Sequence, residues 1–336
     1  AEYGGVVPEI ASRDHLKNIE PVIEEALSRA QHSLQTIDAI AVTNRPGLSG
    51  ALLIGSQVAR TLSWISQKPL IAVDHLVGHL LAVFLDFSAV LSSKPPESAE
   101  QAPNPIRESQ APSYPFVGLL ASGGHTGIYR VNGPLAEQIS ELGGTRDDAA
   151  GEAYDKVAKL LGLGYPGGPI IDQLAQEGDP LQIPLARPMA QKSLLEFSFS
   201  GLKTNVARWV KENGIPKNDD QLRNLAAAFQ ARVVDTLIDK SIRAARQEGI
   251  REIVLAGGVA ANEELRERGA ELCKKHGMRL IAPSRRACTD NAAMIAHAGL
   301  YRAQTGVNDA PNLTIHPRTA LPRATRKGPG PRQSRE

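Results

Sequence analysis

Aromatic residues make up only 4% of this 336-residue chain. A nucleic-acid surface built on rows of stacking rings is therefore not expected. Cysteine is scarcer still. Cys273 and Cys288 are the two in the sequence, which excludes a disulfide-rich scaffold and fits a reducing cytosol. No apolar run approaches the ~18 residues that a membrane helix needs. The opening Ala1-Glu2-Tyr3-Gly4-Gly5 has neither the character of a secretory signal nor an initiator Met. A cytoplasmic location without a membrane partner is the expectation. Neither sign of charge dominates: 38 Lys and Arg against 36 Asp and Glu leave +2, so the bulk does not advertise a polyanion partner. A Walker A loop and a Gly-x-Ser-x-Gly elbow are both lacking.

The length suffices for two lobes with real cores, and 42% hydrophobic residues is ordinary for a soluble protein. His15 to Gln31 has an amphipathic helical pattern, with Leu16, Ile19, Val22, Ile23 and Leu27 at helical spacing. A strand over 37–42, a helix over 49–67 and a strand over 71–73 follow. This β-α-β-α order belongs to a layered α/β lobe. Residues 88–112 are rich in Pro, Ser, Gln and Glu, the composition of a mobile insertion. Beyond it lie strands over 116–120 and 128–131, a helix over 147–161, a Gly-Pro loop over 162–169 and a long helix over 221–247. A strand over 252–256, a helix over 263–276, a strand over 279–282 and a helix over 290–305 complete the pattern. From Pro317 to Glu336, Arg318, Arg323, Arg326, Lys327, Arg332 and Arg335 face one acid, Glu336.

The residues with chemical potential are scattered along the chain. His75 and His79 stand four apart in Asp74-His75-Leu76-Val77-Gly78-His79, on one face if the run is helical. Such a pair can ligate a metal, with Asp290 as the candidate third ligand. Thr289 and Asp290 equally suit a helix N-cap. The zinc-protease pattern His-Glu-x-x-His is not met, because Leu76 follows His75. Ser122-Gly123-Gly124-His125-Thr126 lies between two strands, where bare backbone N–H groups can approach a phosphate; a simple hairpin turn and a structural His125 explain it as well. Gly257-Gly258 followed by Asn262 marks a strand-to-helix junction of the nucleotide-binding kind, with an N-cap as the plain role for Asn262. Asp155 and Asp172 flank the Gly164–Pro169 loop and are either ribose holders or surface acids. Phe197-Ser198-Phe199-Ser200-Gly201-Leu202-Lys203-Thr204 is not explained by periodicity.

Taken together these motifs have one match. Gly4 to Arg13, the two-histidine helix, Ser122 to Thr126, Asp147 to Lys159, Tyr165 to Pro169, Phe197 to Thr204, Ala256 to Asn262 and Cys288 to Met294 all resemble the bacterial TsaD-type tRNA threonylcarbamoyladenosine transferases. These were formerly named O-sialoglycoprotein endopeptidases. The resemblance runs from about Tyr3 to about Thr305. It implies the two-lobed α/β fold of actin, Hsp70 and the sugar kinases (the ASKHA fold). It also implies an acyltransferase that moves a threonylcarbamoyl group from threonylcarbamoyl-AMP to N6 of adenosine 37, in tRNAs reading codons that begin with A. His75, His79 and Asp290 would hold one metal ion per subunit, Fe2+ or alternatively Zn2+. Ala121, Ser122, Gly123, Gly124 and His125 would contact the activated substrate. Asp155, Gly168, Asp172 and Asn262 would hold its nucleotide part. The implied partners are tRNA, a non-catalytic paralogue and a small ATPase.

On this basis the chain divides into lobe I over 1–86, a mobile insertion over 87–114 and lobe II with the nucleotide site over 115–288. A C-terminal helix returns to lobe I over 289–316, and a basic, disordered tail covers 317–336. Two departures stand out. The family has Glu where this chain has Val77. An opening family segment of about thirty residues, with an acidic motif at the phosphate side of the site, has no counterpart here. The catalytic acids are therefore unassigned, and the chain alone is expected to be inactive or poorly stable. A metalloprotease, after the older family name, and a non-catalytic scaffold are the competing functions. The protease needs a water-activating carboxylate that neither Leu76 nor Val77 supplies.

Overall fold

A computed structural model describes residues 7–85, 111–186, 195–216 and 218–323. Most of the expected insertion, 87–110, and the end of the basic tail, 324–336, lie outside the described residues. The chain begins with α1 (Pro8–Ala30), β1 (Ile40–Arg45), α2 (Ser49–Ser66), β2 (Leu70–Asp74) and the histidine helix α3 (His75–Leu81). There follow β3 (Phe116–Ala121), β4 (Thr126–Val131), β5 (Ile139–Gly144), α4 (Ala150–Leu160), α5 (Gly167–Gln176), α6 (Ser200–Asn213) and α7 (Asp219–Glu248). The chain then forms β6 (Glu252–Ala256), α8 (Glu263–Lys275), β7 (Arg279–Ile281), α9 (Arg285–Cys288) and α10 (Ala292–Ala303).

Among the described residues there are two sheets. β1 and β2 pair in parallel. The larger sheet has the order β5-β4-β3-β6-β7, with β3 at its centre. β3 runs antiparallel to β4 and parallel to β6. Its side chains alternate between faces, as strand geometry requires. Val117, Leu119 and Ala121 enter a core shared with α4, α5, α7 and α8. Phe116 and Leu120 enter a second core with β2, α3 and α10. Gly118 completes the second face. A Cβ there would sit 2.5 Å from Leu80 Cδ2, so the glycine lets α3 lie directly on the sheet. Gly299 does the same for α10, where a Cβ would come within 2.7 Å of Ala41 Cβ.

Several elements depart from the sequence expectation. The first strand is shifted to 40–45. β5 has no period-2 signal because it holds only Ile139 and Leu142 as large apolar residues before Gly143-Gly144. The Gly-Pro loop ends at Pro166, and Gly167 opens α5, whose first free N–H is satisfied by Asp155 Oδ1 at 2.7 Å. α1 starts at Pro8 rather than at the expected His15, and Leu16 and Val22 stay 66% and 63% exposed, so its apolar stripe is only partly covered by α2.

The tail is the clearest correction. Residues 317–323 belong to the fold rather than to a disordered extension. Thr319 Oγ1 donates to Asp74 Oδ2 at 2.6 Å, with the Ala320 N–H at 3.3 Å from the same oxygen. Leu321 is buried, and the Pro322 carbonyl accepts from Glu141 N at 2.8 Å. Basic composition over twenty residues hid one leucine and one hydroxyl, each matched to a specific partner. Asp74 in turn caps α3 through the Leu76 N–H at 2.9 Å. Burial pushes its carboxyl above the ordinary value, against these hydrogen bonds. Replacing the hydroxyl leaves a buried carboxylate oxygen with one weak donor. Thr319→Val should cost about 1–2 kcal/mol, read as a lower urea midpoint; an unchanged midpoint would mean that the strap contributes nothing to α3.

Candidate active site

β2 ends at Asp74 and α3 starts at once, so the histidine pair is held at a strand-to-helix junction. His75 and His79 lie on one face, with ring centroids 4.6 Å apart and planes at 80°. Both Nε2 atoms converge on Asp290 Oδ1, at 3.4 Å and 3.0 Å. The three donor atoms lie within 4.8 Å of one another. His79 is buried, whereas Asp290 is 77% exposed at the cleft. The bonds from His75 and His79 hold the Asp290 carboxyl well below the usual carboxylate range, and burial opposes them. His79 Nδ1 is buried without a hydrogen-bond partner, so that ring is engaged only through Nε2. Two imidazole nitrogens and one carboxylate oxygen around one point are a donor set that suits iron or zinc.

Asp290 is free for this role because it is not the helix cap. Asn291 caps α10, its side chain accepting from Met294 N at 2.9 Å. Asp290 thus stands in the extended link between α9 and α10. Leu76 and Val77 both point into the second core, so no carboxylate on α3 faces the histidines.

The Ser122–His125 segment is the tight turn between β3 and β4. Ser122 N donates to the His125 carbonyl at 2.8 Å, and Ser122 Oγ accepts from His125 N at 3.1 Å. A Cβ on Gly123 or Gly124 would meet nothing within 4 Å, so both open onto free space. The start of α4 abuts this turn: Gly151 N donates to the Ser122 carbonyl at 3.1 Å and Ala150 N to Thr126 Oγ1 at 2.8 Å. On the other side Gly257, at φ +85°, passes so close that a Cβ would be 2.5 Å from the Ala121 carbonyl oxygen. Burial, reinforced by His75 and His79, lowers the His125 pKa and favours its neutral form.

A cleft of about 1780 Å³ joins these parts, walled by His75, Ser122 to His125, Asp155 and Asp290. Ala121, Gly168, Asp172 and Asn262 lie off its walls. Asp172 and Asn262 form a neighbouring cluster instead. Asn262 caps α8 through Leu265 N at 2.9 Å and donates to Asp172 Oδ1 at 2.8 Å. Its cap role is therefore real, and its link to Asp172 was not legible in sequence. Gln230 belongs to the same cluster and was missed, being one amide in the apolar run Ala226-Ala227-Ala228-Phe229 of a long helix. Lys156 was also missed. It reaches Asp148 at 2.7 Å and Glu152 at 2.9 Å on the cleft side of α4.

The Phe197–Thr204 motif finds its explanation in Asp147. The hydroxyls of Ser198 and Ser200 donate to Asp147 Oδ2, the latter at 2.7 Å, while the Phe199 N–H reaches Oδ1 at 2.8 Å. Phe197 and Phe199 are buried and stack at 5.9 Å. The motif anchors the start of α6 to the loop before α4, and so to the glycine turn.

Helices packed on both faces of a mixed five-stranded sheet, with a cleft beside it, define a layered α/β protein. Two solved structures share the fold: full-length HypF in a phosphate- and nucleotide-bound form (TM-score 0.56, 13% identity) and the T. kodakarensis HypF (TM-score 0.57, 12% identity). They cover 85% and 86% of this chain, which spans 41% and 43% of theirs. The family model TsaD, tRNA N6-adenosine threonylcarbamoyltransferase, matches residues 1–99 and 101–297. Proteins of that name are 56% identical in Sorangium cellulosum, over 99% of this chain and 90% of theirs, and 47% identical in Geobacter metallireducens, over 93% and 84%. The chain belongs to the tRNA N6-adenosine threonylcarbamoyltransferase family.

The Asp147 cluster predicts a pH effect. Burial pushes this carboxyl up, but the serine hydroxyls and the Phe199 and Ser200 amides outweigh it and hold it below the ordinary value. A carboxylate so lowered stabilises the fold fully above an unfolded value of about 3.9, and that stability is lost as pH falls through the folded value. Asp147→Ala should melt lower than the parent at neutral pH, and the gap should narrow as pH falls below the unfolded value of about 3.9. A gap independent of pH, measured by thermal denaturation, would remove the carboxylate from this account.

Proposed function

We propose that this chain transfers the threonylcarbamoyl group from threonylcarbamoyl-AMP to N6 of adenosine 37 in tRNAs reading codons that begin with A. Membership of the family supports the reaction. The observation that carries the site assignment is the convergence of His75, His79 and Asp290 on one point beside the open glycine turn.

The substrate is a mixed anhydride, so the chemistry is acyl transfer without further activation. The N6–carbonyl bond forms, the carbonyl–phosphate oxygen bond breaks, AMP leaves, and the amine gives up one proton to solvent. His75, His79 and Asp290 would hold the metal ion, iron or alternatively zinc. The ion would supply Lewis-acid charge stabilisation and a template for the phosphate and carbonyl oxygens. The Gly123 and Gly124 amides are poised to cradle the phosphate as charge develops on it. Asp155, Gly168, Asp172 and Asn262 would hold the nucleoside. The Asp172–Asn262 link supports treating the last two as one unit.

With few aromatic residues, tRNA contact should rest on phosphates and shape, together with the partner proteins of the modification complex. A cytoplasmic location fits such a role; among the described residues no helix is long and apolar enough to cross a membrane. Residues 1–86 would form lobe I and 115–288 lobe II, with α10 returning to the first. No observation favours a protease, and neither Leu76 nor Val77 supplies the carboxylate that its water-activating helix needs.

Transfer is tested by incubating tRNA, synthetic threonylcarbamoyl-AMP and the chain with its partner proteins, then digesting the tRNA for mass spectrometry. Absence of the modified nucleoside with all components present would refute the assignment. His75→Ala and Asp290→Ala should each lower metal content sharply by plasma emission spectroscopy, whereas equal content in parent and both variants would remove the ligand assignment. Gly124→Val should weaken AMP binding by about tenfold or more, as expected when a side chain occupies a phosphate position. Unchanged affinity by calorimetry would take the turn out of the site.

A further inference from the structure

At the centre of α7, Gln230 is 1% exposed, and both ends of its amide are hydrogen-bonded. Its Oε1 accepts from Asn262 Nδ2 at 2.8 Å and from the Tyr154 hydroxyl at 3.3 Å. Its Nε2 donates to Asp172 Oδ1 at 3.0 Å, with the Glu264 carboxylate close by. Two donors face the oxygen and two carboxylates face the NH2. Flipping the amide would oppose like groups on both sides, so the orientation is determined by its neighbours. Four elements meet at this one side chain: Tyr154 on α4, Asp172 on α5, Gln230 on α7, and the α8 start with Asn262 and Glu264.

The accounting at Asp172 then has a consequence. Its Oδ1 already accepts from Gln230 Nε2 and Asn262 Nδ2. Among the described residues its Oδ2 accepts only from Glu263 N, at 3.2 Å. One oxygen is filled, and the other retains acceptor capacity on a half-exposed residue. We propose that Gln230 is a positioning residue for nucleotide recognition. By occupying Oδ1 it presents Asp172 Oδ2 as the oxygen that accepts from a hydroxyl of the bound nucleotide's sugar. This rests on the reading that Asp172 holds the nucleotide, and the variants below separate the two. The charged and titratable groups around the amide are Asp172, Glu264 with its partner Arg268, Asp235 beside them, Arg285 towards Asp172, and the Tyr154 hydroxyl.

The probe is AMP, titrated by calorimetry into the full chain and its variants at about pH 6 and about pH 8, with folding checked by circular dichroism. Gln230→Glu keeps the shape but faces Asp172 and Glu264 with a third carboxyl. Buried among like charges, that carboxyl has a raised pKa. It can donate to Asp172 while protonated and repels it once ionised. AMP affinity should therefore fall about tenfold at the higher pH, the size of one buried hydrogen bond to a charged group, and recover towards the parent value at the lower. Gln230→Met, which has no donor, should show a similar loss at both pH values. Asp172→Asn should weaken AMP binding by itself.

If Asp172→Asn binds like the parent, the nucleotide reading of Asp172 fails and the proposal falls with it. If Asp172→Asn weakens binding but both Gln230 variants bind like the parent, the role of Gln230 alone is overturned. A loss in Gln230→Glu that is the same at both pH values, or failure of both Gln230 variants to fold, would make the residue a packing element and also overturn it.

Discussion

Strand β3 is buried on both faces, and the rest of the molecule depends on this. Its alternate side chains serve two cores, one with α4, α5, α7 and α8 and one with β2, α3 and α10. A strand that is apolar on both sides cannot border water, so each face must be covered. On one face the cover is the helical layer carrying the Asp172 cluster. On the other it is the histidine helix, seated against Gly118 by Leu80. The β3–β4 turn emerges between the two, which is why Gly123 and Gly124 sit beside both the histidines and the start of α4.

Polar satisfaction at helix ends then sets the chemistry. Asp74 caps α3 and thereby aims His75 and His79. Asn291 caps α10 and leaves Asp290 uncommitted, so its carboxylate can meet both imidazoles. Asn262 caps α8 and still has two N–H donors, which go to Asp172 and Gln230. At α3 and α10 the backbone's demand for a partner is met by one residue and its neighbour is released for the site, whereas Asn262 serves both ends by itself. The strap at Thr319 extends the same logic, because a chain segment distant in sequence satisfies the second oxygen of Asp74.

The local pattern carried a good deal of this. Glu252–Ala256 is an uninterrupted apolar strand bounded by Gly257-Gly258, and it was legible to the residue. The long helix, read over 221–247, forms over 219–248, and the condition that the histidine run be helical is met. The edge strand β5 was not, because two apolar residues and a Gly-Gly end carry no period, and it is held by the ladder with β4. The Phe197–Thr204 motif was visible as an anomaly, but its partner Asp147 lies fifty residues earlier in the chain. Gln230 gave no signal, since a single amide in a helix reads the same whether it faces solvent or a buried network.

The sequence by itself determined the α/β class, the helical spacing of the histidines, the small residues at the glycine turns and the resemblance to one transferase family. These are properties of short windows, set by side-chain period and backbone freedom. Asp290 was already the candidate partner of His75 and His79 in the sequence, and the structure brings the three together; tertiary structure alone decided that Asn291 rather than Asp290 caps α10, that Thr319 holds Asp74, and that Gln230 links Asp172 to Asn262. Apart from the Asn291 cap, which spans three residues, each is a meeting of groups between roughly 30 and 245 residues apart in the chain. Such meetings follow from how both faces of β3 are covered, and no local pattern encodes them.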